Sequence, residues 1–382
     1  MGHGTGETER MHALDGVRGI AAVVVLLYHL TLMARPRLEE TAGLWEWITQ
    51  SPLRPLTAGS EAVLVFFVLS GLVVSIPALS GSFDWLRYYP SRLLRLYLPV
   101  IAAVLFAVAL IVFVPRLPGA ITPDSWLANR VASSISVSQV IEESSLLPQT
   151  YTIVNVLWSL RWEVMFSVLL PVFVVVGLAT KRHRALAAVL AIALGVVGRV
   201  LDVDALVYLP TFFLGTMIAV NLRELRAWAA RVSARGRGLV WAALAGASAV
   251  LLVASWLARP FAPAGSSLSA ALWGLAGAGA AGLIIVAIGS PFAERMLSAR
   301  LPRWLGRISF SLYLVHVPVL ASVAFVLGDE NWPLVAAIAI PASFAIAWLF
   351  HVAVETPSHR LARRAGTRVA SQHDRVREPI AS

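Results

Sequence analysis

Long apolar runs separated by short polar breaks set the pattern of this chain. They lie near residues 13–33, 57–79, 95–115, 153–178, 185–200, 204–220, 238–258, 267–289, 306–327 and 333–354. A helix of about twenty mostly apolar residues spans a bilayer. In hydrocarbon the backbone must satisfy its hydrogen bonds within its own segment, so each run predicts a helix. The expected fold is all-α, a polytopic transmembrane helix bundle of about ten spans. The least regular part is the pair of short runs meeting at Asp202-Val203-Asp204. No internal repeat of the kind seen in transporters is visible.

Composition agrees with this pattern. The chain has 382 residues, of which 58% are hydrophobic and 14% charged. Soluble domains carry roughly a quarter charged residues. The basic residues give orientation. With the N-terminus in the cytoplasm, about 22 Lys and Arg fall in inner segments and about 7 in outer ones, the asymmetry expected of cytoplasmic loops. Both termini are then cytoplasmic. The net charge of +10 is spread over these loops, so no nucleic-acid partner is called for. Membrane lipid is the expected surrounding, with multi-pass localisation in the cell membrane.

Residues 1–360 are read as one integral membrane domain and 361–382 as a basic, disordered cytoplasmic tail. The first apolar block carries Arg18 and lacks a cleavage site, so it is expected to stay as the first span. The outer stretch 116–152 is too short and polar to form a core of its own. There is no cysteine, which removes disulfides, cysteine acyl-enzymes and cysteine-ligated metal. No metal-ligand spacing occurs, and no metal is expected. His29 and His316 can in principle meet, but no carboxylate–histidine motif accompanies them.

Ionisable groups inside spans cost roughly 2.5–3.5 kcal/mol each to insert and so mark candidate chemistry. In LDGVRGIAAVVVLLYHL (14–30), Arg18 and His29 are three helical turns and about 20° apart, which puts them on one face about 16 Å apart along the axis. Arg92 and Arg95 share a helix face at the mouth of a span, where two guanidinium forks suit phosphate oxygens. Arg161 and Glu163 lie within the fourth span and point to nearly opposite faces, so each needs a partner from another helix. Glu163 is a candidate to orient His29. Arg161 is the only candidate oxyanion donor in view. Ser309, Tyr313 and His316 form a polar stripe in the ninth span, the kind that lines a bundle interior. Ser70-Gly71 suits a close helix contact, and with no Gly-x-Ser-x-Gly elbow serine catalysis is unsupported. Glu355 is expected to pair with basic neighbours. Gly274, Ala278 and Gly282 predict a close-packing seam. The stretch 221–238 predicts an amphipathic helix on anionic lipid, with Leu222, Leu225, Ala229 and Val232 on its apolar face.

Taken in order, LDGVRGIAAVVVLLYH, VFFVLSG (65–71), Arg92-x-x-Arg95, WSLRWE (158–163), GRISFSLYLVHVP (306–318) and VETP (354–357) resemble the multi-pass membrane acyltransferase-3 family over nearly the whole chain. The resemblance implies transfer of an acyl group, often acetyl, from cytosolic acyl-CoA. The implied acceptor is a hydroxyl, commonly of a sugar on an envelope glycan, exported glycoside or secondary metabolite. It implies His29 as the essential histidine, with attack either direct or through an acyl-histidine. It implies Glu163 as the acidic partner, and Arg18, Arg92 and Arg95 as the groups that hold acyl-CoA. Arg161, Tyr313 and His316 are the expected substrate-pocket residues. The chain departs from the family pattern at Ser167, in place of an aromatic, and at Leu64, in place of an acidic residue. Both departures are expected to reshape the acceptor pocket. No appended extracytoplasmic domain is expected. The rival class is a transporter whose polar face lines a path across the membrane.

Overall fold

The computed structural model describes residues 11–116, 119–148 and 150–377. Arg10, counted among the basic inner residues, and positions 378–382 of the expected tail lie outside the described residues. Each apolar run has folded as a helix, as the need for internal hydrogen bonds requires. The order is α1 (His12–Glu40), α2 (Leu44–Gln50), α3 (Gly59–Ala78), α4 (Trp85–Phe113), α5 (Trp126–Arg130), α6 (Val137–Ser145) and α7 (Leu157–Ala179). It continues with α8 (Arg184–Val200), α9 (Asp204–Val220), α10 (Leu222–Ala234), α11 (Gly238–Leu257), α12 (Ser267–Gly274) and α13 (Ala276–Gly289). The last are α14 (Pro291–Leu297), α15 (Arg300–Leu327), α16 (Trp332–Phe350) and α17 (Thr356–Arg377). Among the described residues, nine helices are long and apolar enough to cross a membrane, or ten if α9 and α10, bent by 71°, count as one. The protein is a polytopic all-α membrane protein. The end of the bundle at which α1 begins collects the arginines and is called the basic end below.

Close packing follows from small residues. Helix α1 runs against α15 and α3, and α3 against α9. A Cβ on Gly306 would collide with the backbone carbonyl of Asp15, and one on Gly71 with that of Phe212. The seam expected at Gly274 and Gly282 is split between two neighbours, because α12 ends at Gly274. Gly274 approaches Val196 of α8, while Gly282 approaches Ser248 of α11.

Two expectations about the periphery are corrected. Residues 361–377 are helical within α17, which packs along α4: Ser91 Oγ donates to Ala362 O at 3.0 Å, and Gly366 lies on the Arg87 carbonyl. Period-3.6 apolar positions such as Ala362 hold this basic segment to the bundle. The apolar face of α10 meets protein, since Ala229 and Val232 pack on Trp241 and Val286. In line with the expectation for 116–152, its described residues pack on the bundle rather than on a core of their own, with Leu127, Val131 and Leu146 in the main core.

Candidate active site

At the basic end, α1, α3, α4, α7 and α15 converge on a cavity of about 130 Å³. Arg18, Arg92, Arg95, Ser70 and Glu163 line it, and Phe66, Ser159 and Tyr313 lie along its wall. A wider chamber of about 570 Å³ adjoins it and shares Val73, Val74, Arg92, Arg95 and His359. Arg87, Arg363, Ser80, Ser82 and Tyr88 add to the wall of this mouth. The expected convergence of Arg18, Arg92 and Arg95 is therefore what the fold builds, from two helices far apart in sequence.

Arg92 is fixed by three partners. Its Nη2 donates to Glu163 Oε1 and to Ser70 Oγ (3.2 Å), and its Nε donates to Ser167 Oγ (3.1 Å). Ser70 Oγ donates to the same carboxylate oxygen at 2.6 Å, and Ser167 Oγ to the Glu163 carbonyl at 2.7 Å. Glu163 therefore orients Arg92, and the expectation that it holds His29 is overturned. The reason is helix rotation: Glu163 faces α4, whereas His29 faces α15. Ser167, expected to alter the acceptor pocket, instead supports Arg92, and Leu64 is simply core.

Arg95 is steered differently. Its Nε donates to His359 Nε2 at 3.1 Å. Glu355 lies beside that histidine at 3.9 Å, in a π-helical turn, His351–Glu355, that turns its carboxylate inward. π-turns of this kind recur at functional sites. Glu355 Oε2 accepts from Ser311 Oγ (2.6 Å) and pairs with His351 Nδ1 (3.0 Å). The basic neighbours expected for Glu355 are two histidines, joined by a serine, and the carboxylate lines the cavity.

His29 is not in the cavity wall. It is 6% exposed, and His316 is fully buried beside it. His316 Nε2 and His29 Nδ1 are 3.1 Å apart. His29 Nδ1 lies 2.9 Å from Val25 O, and His316 Nδ1 lies 2.9 Å from Leu312 O. A carbonyl oxygen only accepts, so both Nδ1 atoms carry hydrogen in the neutral rings. His29 Nδ1–H is then shared between Val25 O and the lone pair on His316 Nε2. The arrangement leaves His29 Nε2 as the free base of the pair.

Tyr313 stands between cavity and histidines. Its ring is 6.1 Å from that of His316 and 5.9 Å from Phe66. Its hydroxyl donates to Val156 O at 3.1 Å and lies 2.6 Å from Ser159 Oγ. The polar stripe of α15 is therefore divided, with Ser309 and Tyr313 on the cavity and His316 behind it. Arg161 does not line the cavity. Its guanidinium lies 5.6 Å from the Trp162 ring, so the role of oxyanion donor has no geometric support.

The sequence reading passed over Ser70, Ser159, His359 and Trp126 as site residues. For Ser70 and Ser159 a signal exists, since each lies within a quoted motif, VFFVLSG and WSLRWE. His359 and Trp126 carry none, because one lies past the end of the last apolar run and the other in a stretch between spans.

A family model for an acyltransferase domain matches residues 11–352. The O-acetyltransferase PaAT-1 of Phomopsis amygdali is 24% identical over 379 residues, covering 84% of this chain and 75% of that protein. No solved structure matches the chain.

Proposed function

The chain belongs to the multi-pass membrane acyltransferase-3 family, and on that premise we propose that it moves an acetyl group from acyl-CoA, bound from the cytoplasm at the basic end, to a hydroxyl of a sugar or glycoside. The observation that carries this reading is the arginine-lined cavity whose wall residue Tyr313 stands beside a buried pair of histidines. A coenzyme bearing phosphates needs cations at the mouth and a narrow passage for its thioester arm. Arg87, Arg95 and Arg363 supply the first. The inner cavity, ending at Tyr313, supplies the second. Acetyl as the group and oxygen as its destination follow the likeness to PaAT-1.

The chemistry uses His29 Nε2 as general base. The acceptor hydroxyl gives its proton to Nε2 while its oxygen bonds the acyl carbon. The carbon–sulfur bond then breaks, and the imidazolium returns that proton to the departing thiolate. During this step the His29 ring is cationic, and its Nδ1–H bond to His316 becomes charge-assisted. Such bonds are roughly twice as strong as neutral ones, so His316 favours the charged state more than the resting one.

The experiment is transfer from radiolabelled acetyl-CoA by the purified chain to a panel of glycosides and other alcohols. Label is expected in an ester product, and no ester with any acceptor would overturn the reading.

A further inference from the structure

We propose that Trp126 is a water shield over His29, closing the histidine off at the end of the bundle opposite the basic one; the proposal rests on His29 being the base argued above. Three aromatic rings enclose His29. Tyr28 lies 5.2 Å away, His316 5.0 Å and Trp126 5.2 Å, centroid to centroid. Tyr28 and His316 belong to the long helices. Trp126 comes from the loop between α4 and α7 and is the first residue of α5. Ser125 Oγ sets that start by accepting from Ala128 N at 3.3 Å. The next residue, Leu127, is wholly buried in the main core, which pins the start of α5 to the bundle.

The loop is fastened far more tightly than a connector requires. The buried carboxylate of Glu143 accepts from three successive backbone N–H groups, those of Thr152 (2.7 Å), Ile153 (2.9 Å) and Val154 (3.1 Å). Thr122 donates through its N–H (2.8 Å) and hydroxyl (2.9 Å) to buried Asp329, beyond α15. Tyr97 OH donates to Ser145 O at 3.0 Å. These bonds tie both halves of the loop to α4, α7 and the end of α15, and so hold the indole over the ring of His29.

The need for such a cover follows from the chemistry. A base that takes a proton from an alcohol also takes one from water. The water oxygen would then bond the acyl carbon, the carbon–sulfur bond would break, and free acid and thiol would leave. Water is present in great excess, so a transferase of this kind must keep its base dry until the acceptor arrives. The indole at 5.2 Å occupies the side from which the loop would otherwise admit solvent.

The test uses the full chain in detergent with acetyl-CoA and no acceptor, and reads free thiol with a chromogenic disulfide. Wild-type protein should release thiol slowly. Trp126→Ala should raise acceptor-free release about tenfold or more, while KM for acetyl-CoA stays within about twofold. Trp126→Phe, which keeps a ring, should stay near wild type. Adding His29→Gln to Trp126→Ala should abolish the rise. A purely structural role for Trp126 would lower activity without raising hydrolysis. If the alanine variant does not fold, Trp126→Leu, which keeps apolar bulk but opens the indole's space, gives the same comparison. Unchanged hydrolysis in a folded variant that still transfers acetyl would overturn the shield alone. So would a rise that survives His29→Gln. Absence of acetyl-CoA turnover in wild type with every acceptor would overturn the activity reading and the shield together.

Discussion

His316 offers the sharpest perturbation of the proposed chemistry. His316→Phe keeps a ring in the buried site but removes the lone pair that accepts His29 Nδ1–H at 3.1 Å. The bond to Val25 O remains, so His29 keeps its tautomer and its place. What is lost is the gain in that bond when His29 becomes cationic. A neutral hydrogen bond is worth about 0.5–1.5 kcal/mol net and one to a charged group about 1.5–3 kcal/mol. The difference, about 1–1.5 kcal/mol, predicts a fall in kcat of roughly 5–13-fold with little change in KM for the acyl donor. His29→Gln removes the base and should cost roughly two to four orders of magnitude. Because His316 acts only through His29, the double variant should be no slower than His29→Gln alone. The assay is steady-state transfer from labelled acetyl-CoA, with thermal unfolding in detergent to establish that each variant is folded. Multiplying losses in the double variant, or a His316→Phe loss as large as that of His29→Gln, would refute the reasoning.

Replacing Arg92 and Arg95 together by Ala should weaken acetyl-CoA binding by a factor of about 100 or more, at about 1.5–3 kcal/mol per charge-assisted contact; calorimetric titration measures it. Glu163→Gln should raise KM for acetyl-CoA several-fold and leave kcat nearly unchanged, because the carboxylate holds Arg92; a loss confined to kcat would return it to His29. Gly306→Ala should lower the unfolding midpoint in detergent by about 2–6 °C, since its Cβ meets the Asp15 carbonyl and overpacking costs about 1–3 kcal/mol.

The spans were legible because lipid leaves the backbone little choice. An apolar run of membrane length becomes a helix whatever surrounds it, so the all-α class and nearly all the span positions followed from the pattern alone. Apart from Arg184 at the start of α8, the exposed positions of α8 and α11 needed only to be apolar or small, and they are. Arg18, Arg92 and Arg95 were likewise legible as a basic mouth, since like charges at one end of several spans must share that end. Periodicity also gave the stripe of Ser309, Tyr313 and His316, because side chains on one helix face are fixed by 100° steps.

Rotation between helices was not legible. Glu163 sits at a depth from which either His29 or Arg92 is conceivable, and only the turn of α7 against α4 decides for Arg92. The same holds for the histidine pair, which depends on α1 and α15 closing on Gly306 until two imidazoles stand 3.1 Å apart. The loop residue Trp126 had no periodicity to mark it, and its position over His29 is set by backbone N–H groups that donate to Glu143 within the loop and to Asp329, far away in sequence. Local pattern fixes which groups lie in each helix and how deep. Which of them meet is settled by packing between helices, where a rotation of a few tens of degrees changes every partner.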